Sequence, residues 1–236
     1  MKYLGGFNFI ELIVGLLVSS VVVAILMHGV LLIQRQTEAI AQQMHRVEEE
    51  AWIVSFLQTR FHQAGFTPCR RLDELKPVDT REERESLHSV ELISPNQLTL
   101  RHMSGEFETV RLTVDAETLF VSNMTLNKAY PVLVSDCRHA EIHSIEDIRV
   151  TNEGVRIILK RPLLYQYDVP FYVGEWISES FFIKHHRLFY QHHHVDELTP
   201  MIHNMFGVIR QENGHVILTL QLNDDHQTIE MHGRNV

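Results

Sequence analysis

Residues 6–34 read GFNFIELIVGLLVSSVVVAILMHGVLLIQ, and this stretch decides how the rest of the chain is read. From Leu12 to Gln34 it holds no Asp, Glu, Lys or Arg, and His28 is its only titratable group. An apolar run above ~18 residues is long enough to span a bilayer as a helix. Two ordinary readings compete for it. A secretory signal peptide would carry a small-x-small cleavage site after the apolar part. None follows at the usual distance, and the run passes without Gly or Pro punctuation into an amphipathic stretch. A plain signal anchor leaves Glu11 unexplained. A carboxylate within a spanning segment costs about 2.5 kcal/mol or more at the bilayer centre and less near an end, so it marks function by default.

The helical pattern continues beyond Gln34. Ile40, Met44, Val47, Ala51, Val54, Leu57, Phe61 and Ala64 follow at steps of three or four and trace one helix face. Arg35, Glu38, Arg46, Glu49, Glu50 and Arg60 fall mostly off that stripe. This half of the helix is expected to be the spine on which a globular domain lies. Gly65 ends the helix and Pro68 stops it continuing. Residues 70–88, RRLDELKPVDTREERESLH, are charged and poor in large apolar groups, and read as an exposed loop with room for a helical turn.

From residue 89 the period changes to two. Segments 89–94, 97–103, 107–114 and 118–122 are separated by Pro95-Asn96, Ser104-Gly105 and Asp115-Ala116, which predicts a β-meander. Further strands are expected near 130–135, 142–150, 155–160, 179–184, 187–191 and 215–222, with His185-His186 as a hairpin turn. The fold class is α+β: a long N-terminal transmembrane and stalk helix packed by an antiparallel β-sheet domain.

The series Gly6-Phe7-Asn8-Phe9-Ile10-Glu11 before the charge-free run resembles the class III signal of type IV prepilins and type II secretion pseudopilins. That pattern is Gly, Phe, three residues, Glu, then a long apolar helix. The resemblance implies a pilin-like fold, cleavage between Gly6 and Phe7 by a prepilin peptidase, and N-methylation of Phe7. It implies an assembly role for Glu11. It divides the chain into a leader (1–6), a membrane and filament-core half of the helix (7–34), an amphipathic stalk half (35–65) and a periplasmic β-rich domain (66–236). Asn8 and Phe9 replace the commoner Thr-Leu. No proline interrupts the helix, where many major pilins carry one, and this favours a minor component.

A second set of residues is similar to PilW-type minor pilins. Glu50-Ala51-Trp52, Phe56-Leu57, then Arg60-Phe61-His62-Gln63-Ala64-Gly65-Phe66 and Cys69 resemble that family's helix end, and Leu133-Val134-Ser135-Asp136-Cys137 its second-cysteine region. The J-type pseudopilins of type II secretion share much of this layout. The topology puts the domain on the periplasmic side, where a Cys69–Cys137 disulfide is expected. The implied protein is anchored in the inner membrane by a single pass and later reaches the pilus or cell surface. Its implied partners are other minor and major pilins, the prepilin peptidase, an inner-membrane pilus assembly platform, and membrane lipid before assembly.

Other chemistry finds little footing. The formal net charge of −9 repels phosphate backbones, and the short basic pairs Arg70-Arg71 and Lys160-Arg161 are not interleaved with aromatics, so nucleic acid is not expected as a partner. There is no nucleophile elbow, phosphate-cradling glycine loop or CxxC motif, so no enzyme activity and no cofactor are expected. Sixteen histidines are unusual. His185-His186 and His192-His193-His194 flank the segment RLFYQ. Consecutive residues of a strand point to opposite faces, and no helical His-x-x-x-His or HExxH pattern occurs, so the expectation is a solvated histidine-rich loop without a metal. Three rivals to a minor pilin stand: a minor pseudopilin, a tip adhesin or DNA-uptake subunit, and a membrane-anchored metal-binding protein using this cluster.

Overall fold

A computed structural model describes residues 9–232 except 76, 82–83, 86, 95, 201, 213–214 and 223–226. The chain divides into two compact units, the first ending at Trp52 and the second beginning at Ile53. One helix, α1 (Phe9–Gln63), supplies the described part of the first unit and the opening of the second. A short helix α2 (Leu72–Leu75) follows. The strands are β1 (Val78–Asp79), β2 (Arg84–Glu85), β3 (Val90–Ser94), β4 (Gln97–Val110), β5 (Leu112–Asp115), β6 (Thr118–Val121), β7 (Val132–Ser135) and β8 (Ala140–His143), then β9 (Ile145–Thr151), β10 (Gly154–Leu159), β11 (Phe171–Lys184), β12 (Arg187–Gln191), β13 (Val195–Thr199), β14 (Met205–Glu212), β15 (His215–Leu222) and β16 (Gln227–His232).

The α+β class holds in this outline: a long apolar helix and a β-rich region. The strands form three sheets rather than one. All pairings are antiparallel except β1 with β8. β11 organises the largest sheet. β4 pairs with it from Phe171 to Phe182. Its other edge is divided: β7 pairs with Tyr172–Glu175 and β12 with Ser180–Lys184. The sheet therefore forks along β11 between Trp176 and Glu179. A four-stranded sheet β5-β6-β10-β9 and a three-stranded sheet β14-β15-β16 complete the second unit.

Within that unit the helix end is a core element. Ile53, Leu57, Phe61 and Ala64 are buried and pack with Leu98, Leu100, Phe181, Leu188, Leu218 and Leu220. Burying a side chain of this size contributes roughly 1.5–3 kcal/mol. The buried stripe is shorter than the sequence spacing predicts. Ile40, Met44 and Val47 are 57%, 59% and 65% exposed, and Ile53 takes the place expected of Ala51. Steps of four, four and three from Ile53 keep the buried residues on one face.

Gly65 ends the helix as expected, and its backbone shows why. It adopts a φ of +79°, where a Cβ is disfavoured, and an added Cβ would lie 3.1 Å from that of Ser89. Beyond it the chain is fastened to β4: Gly65 N donates to Arg101 O, and Met103 N donates to Phe66 O.

Three other expectations are corrected. Ser104-Gly105 is not a turn; it lies inside β4, where extra residues are absorbed as a bulge opposite Gly174 and Trp176. Segments 89–122 are accordingly no meander, because β5 and β6 belong to a different sheet from β3 and β4. The 70–88 segment is not simply exposed. Leu72 and Leu75 are buried with Met103, Leu133, Ile142 and Trp176. The Asp73 carboxylate accepts hydrogen bonds from the Ser89 N–H and hydroxyl. Two apolar anchors outweigh the surrounding charge. This corner also carries the Cys69–Cys137 disulfide, with a Cα–Cα distance of 5.2 Å and a sequence separation of 68. In the chain-entropy model a loop of that length contributes about 4 kcal/mol.

Candidate functional site

The first candidate is the apolar part of α1. Among the described residues it is long and apolar enough to cross a membrane, by length and composition. Its large side chains stand open: Phe9 is 75% exposed, Leu16 63% and Met27 68%. The two serine hydroxyls in this stretch, and that of Thr37 just beyond it, bond back to the helix. Ser19 Oγ donates to Leu16 O at 3.0 Å, Ser20 Oγ to Leu17 O at 2.8 Å, and Thr37 Oγ1 to Ile33 O at 2.9 Å. Hydroxyls satisfied in this way suit a helix surrounded by hydrocarbon, where an unmet hydrogen bond costs several kcal/mol. Glu11 lies in the first turn of the described helix, the end where a carboxylate complements the helix dipole. Gly6 and Phe7, the expected processing pair, lie outside the described residues.

Among the described residues the second unit holds three polar clusters, and the sequence signalled only the histidines of the third. The Arg60 guanidinium is 3.2 Å from Glu179 Oε1, which also accepts a hydrogen bond from the Tyr190 hydroxyl at 2.8 Å. Arg60 sits 5.1 Å from the Phe56 ring centroid and 5.8 Å from that of Tyr190. Burial first, then the bond to Glu179, drives the Tyr190 pKa upward, so the phenol stays protonated.

The second cluster centres on Glu141, which is fully buried on β8. Its carboxylate accepts from Leu164 N, Tyr165 N and the Tyr167 hydroxyl, and lies 2.8 Å from His143 Nε2. Burial works to raise its pKa, but the hydrogen bonds from His143, Leu164 and Tyr165 outweigh it and hold the carboxyl below its ordinary range. Every acceptor site is used, so this is a clasp for residues 164–167, with no spare valence for chemistry.

The third cluster borders the fork in the large sheet. A cleft of about 350 Å³ is lined there by Tyr130, Pro131, Trp176, Ser178, His192 and His193, among others. His193 stacks on Tyr130 with centroids 3.7 Å apart, and its ring is tilted against that of His192 at 3.6 Å. Burial, followed by the neighbouring His193, pushes His192 down to about 4. His102 is lowered as well, chiefly by burial, and its Nδ1 sits 2.8 Å from Met103 O. His185 and His186 stand apart from this group. They form the two-residue turn between β11 and β12, with φ of 51° and 59°. Both positive values are what a tight hairpin of this twist demands.

No family model, curated protein or solved structure matches the chain.

Proposed function

We propose that the chain is a minor pilin that helps initiate or assemble a type IV pilus, sitting at or near its tip, with a structural and not a catalytic task. The observation that carries this reading is the order of features at the start: Gly6-Phe7, Glu11, and an apolar run to Gln34. A helix long and apolar enough to cross a membrane, inward-turned hydroxyls and a disulfide in the second unit support it. The disulfide fits an oxidising compartment such as the periplasm.

The physical mechanism rests on α1. In the membrane its apolar surface is solvated by lipid; in a filament the same surface packs against the helices of neighbouring subunits. Glu11 then pairs with the cationic amine of Phe7 on an adjacent subunit, which compensates a buried charge and fixes axial register. Leaving one member of a buried pair alone costs about 3–5 kcal/mol.

A minor pseudopilin of a type II secretion system would use the same helix physics. Deleting the protein separates the two: loss of surface pili with secretion intact supports the pilus reading, and loss of exoprotein secretion with pili intact supports the other.

A further inference from the structure

Neighbouring residues of a strand face opposite ways, which would keep His192 and His193 from sharing a metal. They are not on a strand. β12 ends at Gln191 and β13 begins at Val195, so both histidines fall in the connection between them. The alternation rule does not apply there, and the two rings lie side by side, tilted by 34°, with centroids 3.6 Å apart. Glu175 completes the group. It is the last residue of β11 paired to β7, at the point where the sheet forks.

The geometry points to a divalent transition-metal site, of the kind that takes zinc, formed by Glu175, His192 and His193. One ligand atom from each lies within 4.8 Å of the other two. Three observations support it. His193 Nε2 is 3.4 Å from Glu175 Oε1. Two ligand atoms each ~2.1 Å from a tetrahedral ion stand roughly 3.4 Å apart, so this pair already has the spacing an ion needs. His192 Nε2 is buried with no hydrogen-bond partner among the described residues. An unmatched buried nitrogen is costly, and a metal would use its lone pair. The donor set of two imidazoles and one carboxylate is also of the type zinc accepts.

Of the neighbouring cations, Arg60 acts on His192 through its charge but is paired with Glu179 at 3.2 Å. Arg81 and Arg101 line the cleft, but Arg81 is paired with Asp79 and Arg101 with Glu91, each at 2.7 Å. Three protein ligands leave a fourth position, which the adjoining cleft would supply with water or a small anion. The metal would tie the 192–194 connection to the start of the fork. This inference is independent of the pilus reading.

The test uses the full-length chain in detergent micelles, stripped with chelator and titrated with zinc by calorimetry. One equivalent is expected. Glu175→Gln and His193→Ala should each weaken binding at least about tenfold. Changing both turn histidines, His185→Asn with His186→Asn, should leave it unchanged. Several weak equivalents that scale with the number of histidines, or Glu175→Gln binding like the unaltered chain, would overturn the site. Cobalt in place of zinc gives a second reading that needs no variant. An intense visible band of the tetrahedral type supports the site, and a weak octahedral spectrum or none overturns it.

Discussion

Arg60 Nη1 stands 3.2 Å from Glu179 Oε1, which joins the last turn of α1 to β11 by an ion pair whose acidic member is 1% exposed and whose basic member is 33% exposed. The carboxylate is held in place by Arg60 on one side and the Tyr190 hydroxyl on the other. The helix end is thereby fixed in position as well as buried.

Removing only the cation should be the more damaging change. Arg60→Met retains most of the stem that packs on Phe56 but leaves a buried carboxylate with one hydrogen bond. A loss of about 1–3 kcal/mol is expected, below the full cost of breaking a buried pair because Arg60 is partly solvated. Glu179→Gln should cost less, since the amide oxygen still accepts from Tyr190. Arg60→Met combined with Glu179→Leu should recover part of the loss. Urea midpoints of the three variants check this order.

Glu141 predicts an acid-side loss of stability. Its folded pKa lies below the ordinary value of 4.5. A depressed carboxyl contributes stability that is fully present above its unfolded pKa and is lost as pH falls through the folded one. The urea midpoint should therefore decline below about pH 4.5 as residues 164–167 lose their acceptor. Glu141→Gln should be less stable at pH 7 and should flatten that decline. An equal slope in the variant would assign the acid sensitivity elsewhere.

The long helix was legible because its signals are local: charge-free length, three-and-four spacing, and Gly65 followed by Pro68. The His185-His186 turn was legible for the same reason, lying between two runs of period two. The division into three sheets was not, because it depends on which distant strands pair. The bulge in β4 hid behind Ser104-Gly105, a pair that more often marks a turn. Glu141 and His143 occupy alternate positions of β8, where a polar pair reads as a solvent face. They are buried instead: Leu164, Tyr165 and Tyr167 bond to the Glu141 carboxylate, and His143 sits between Glu141 and Thr80. The Glu175–His192–His193 group was obscured by the assumption that three successive histidines continue a strand.

Glu11 tests the proposed assembly mechanism. Glu11→Ala should leave insertion and cleavage intact, because apolar length is preserved. It should lower incorporation and the number of pili in a strain lacking the unaltered copy. Glu11→Asp should fall between, since charge remains but reach shortens. Normal piliation with Glu11→Ala would contradict the pairing.

The proposed processing between Gly6 and Phe7 is decided by the mass of the mature N-terminus. Protein recovered from membranes of its own host, digested and read by mass spectrometry, should begin at Phe7 with a single methyl group on its amine. An intact Met1, or a new N-terminus beyond Gln34, would contradict it.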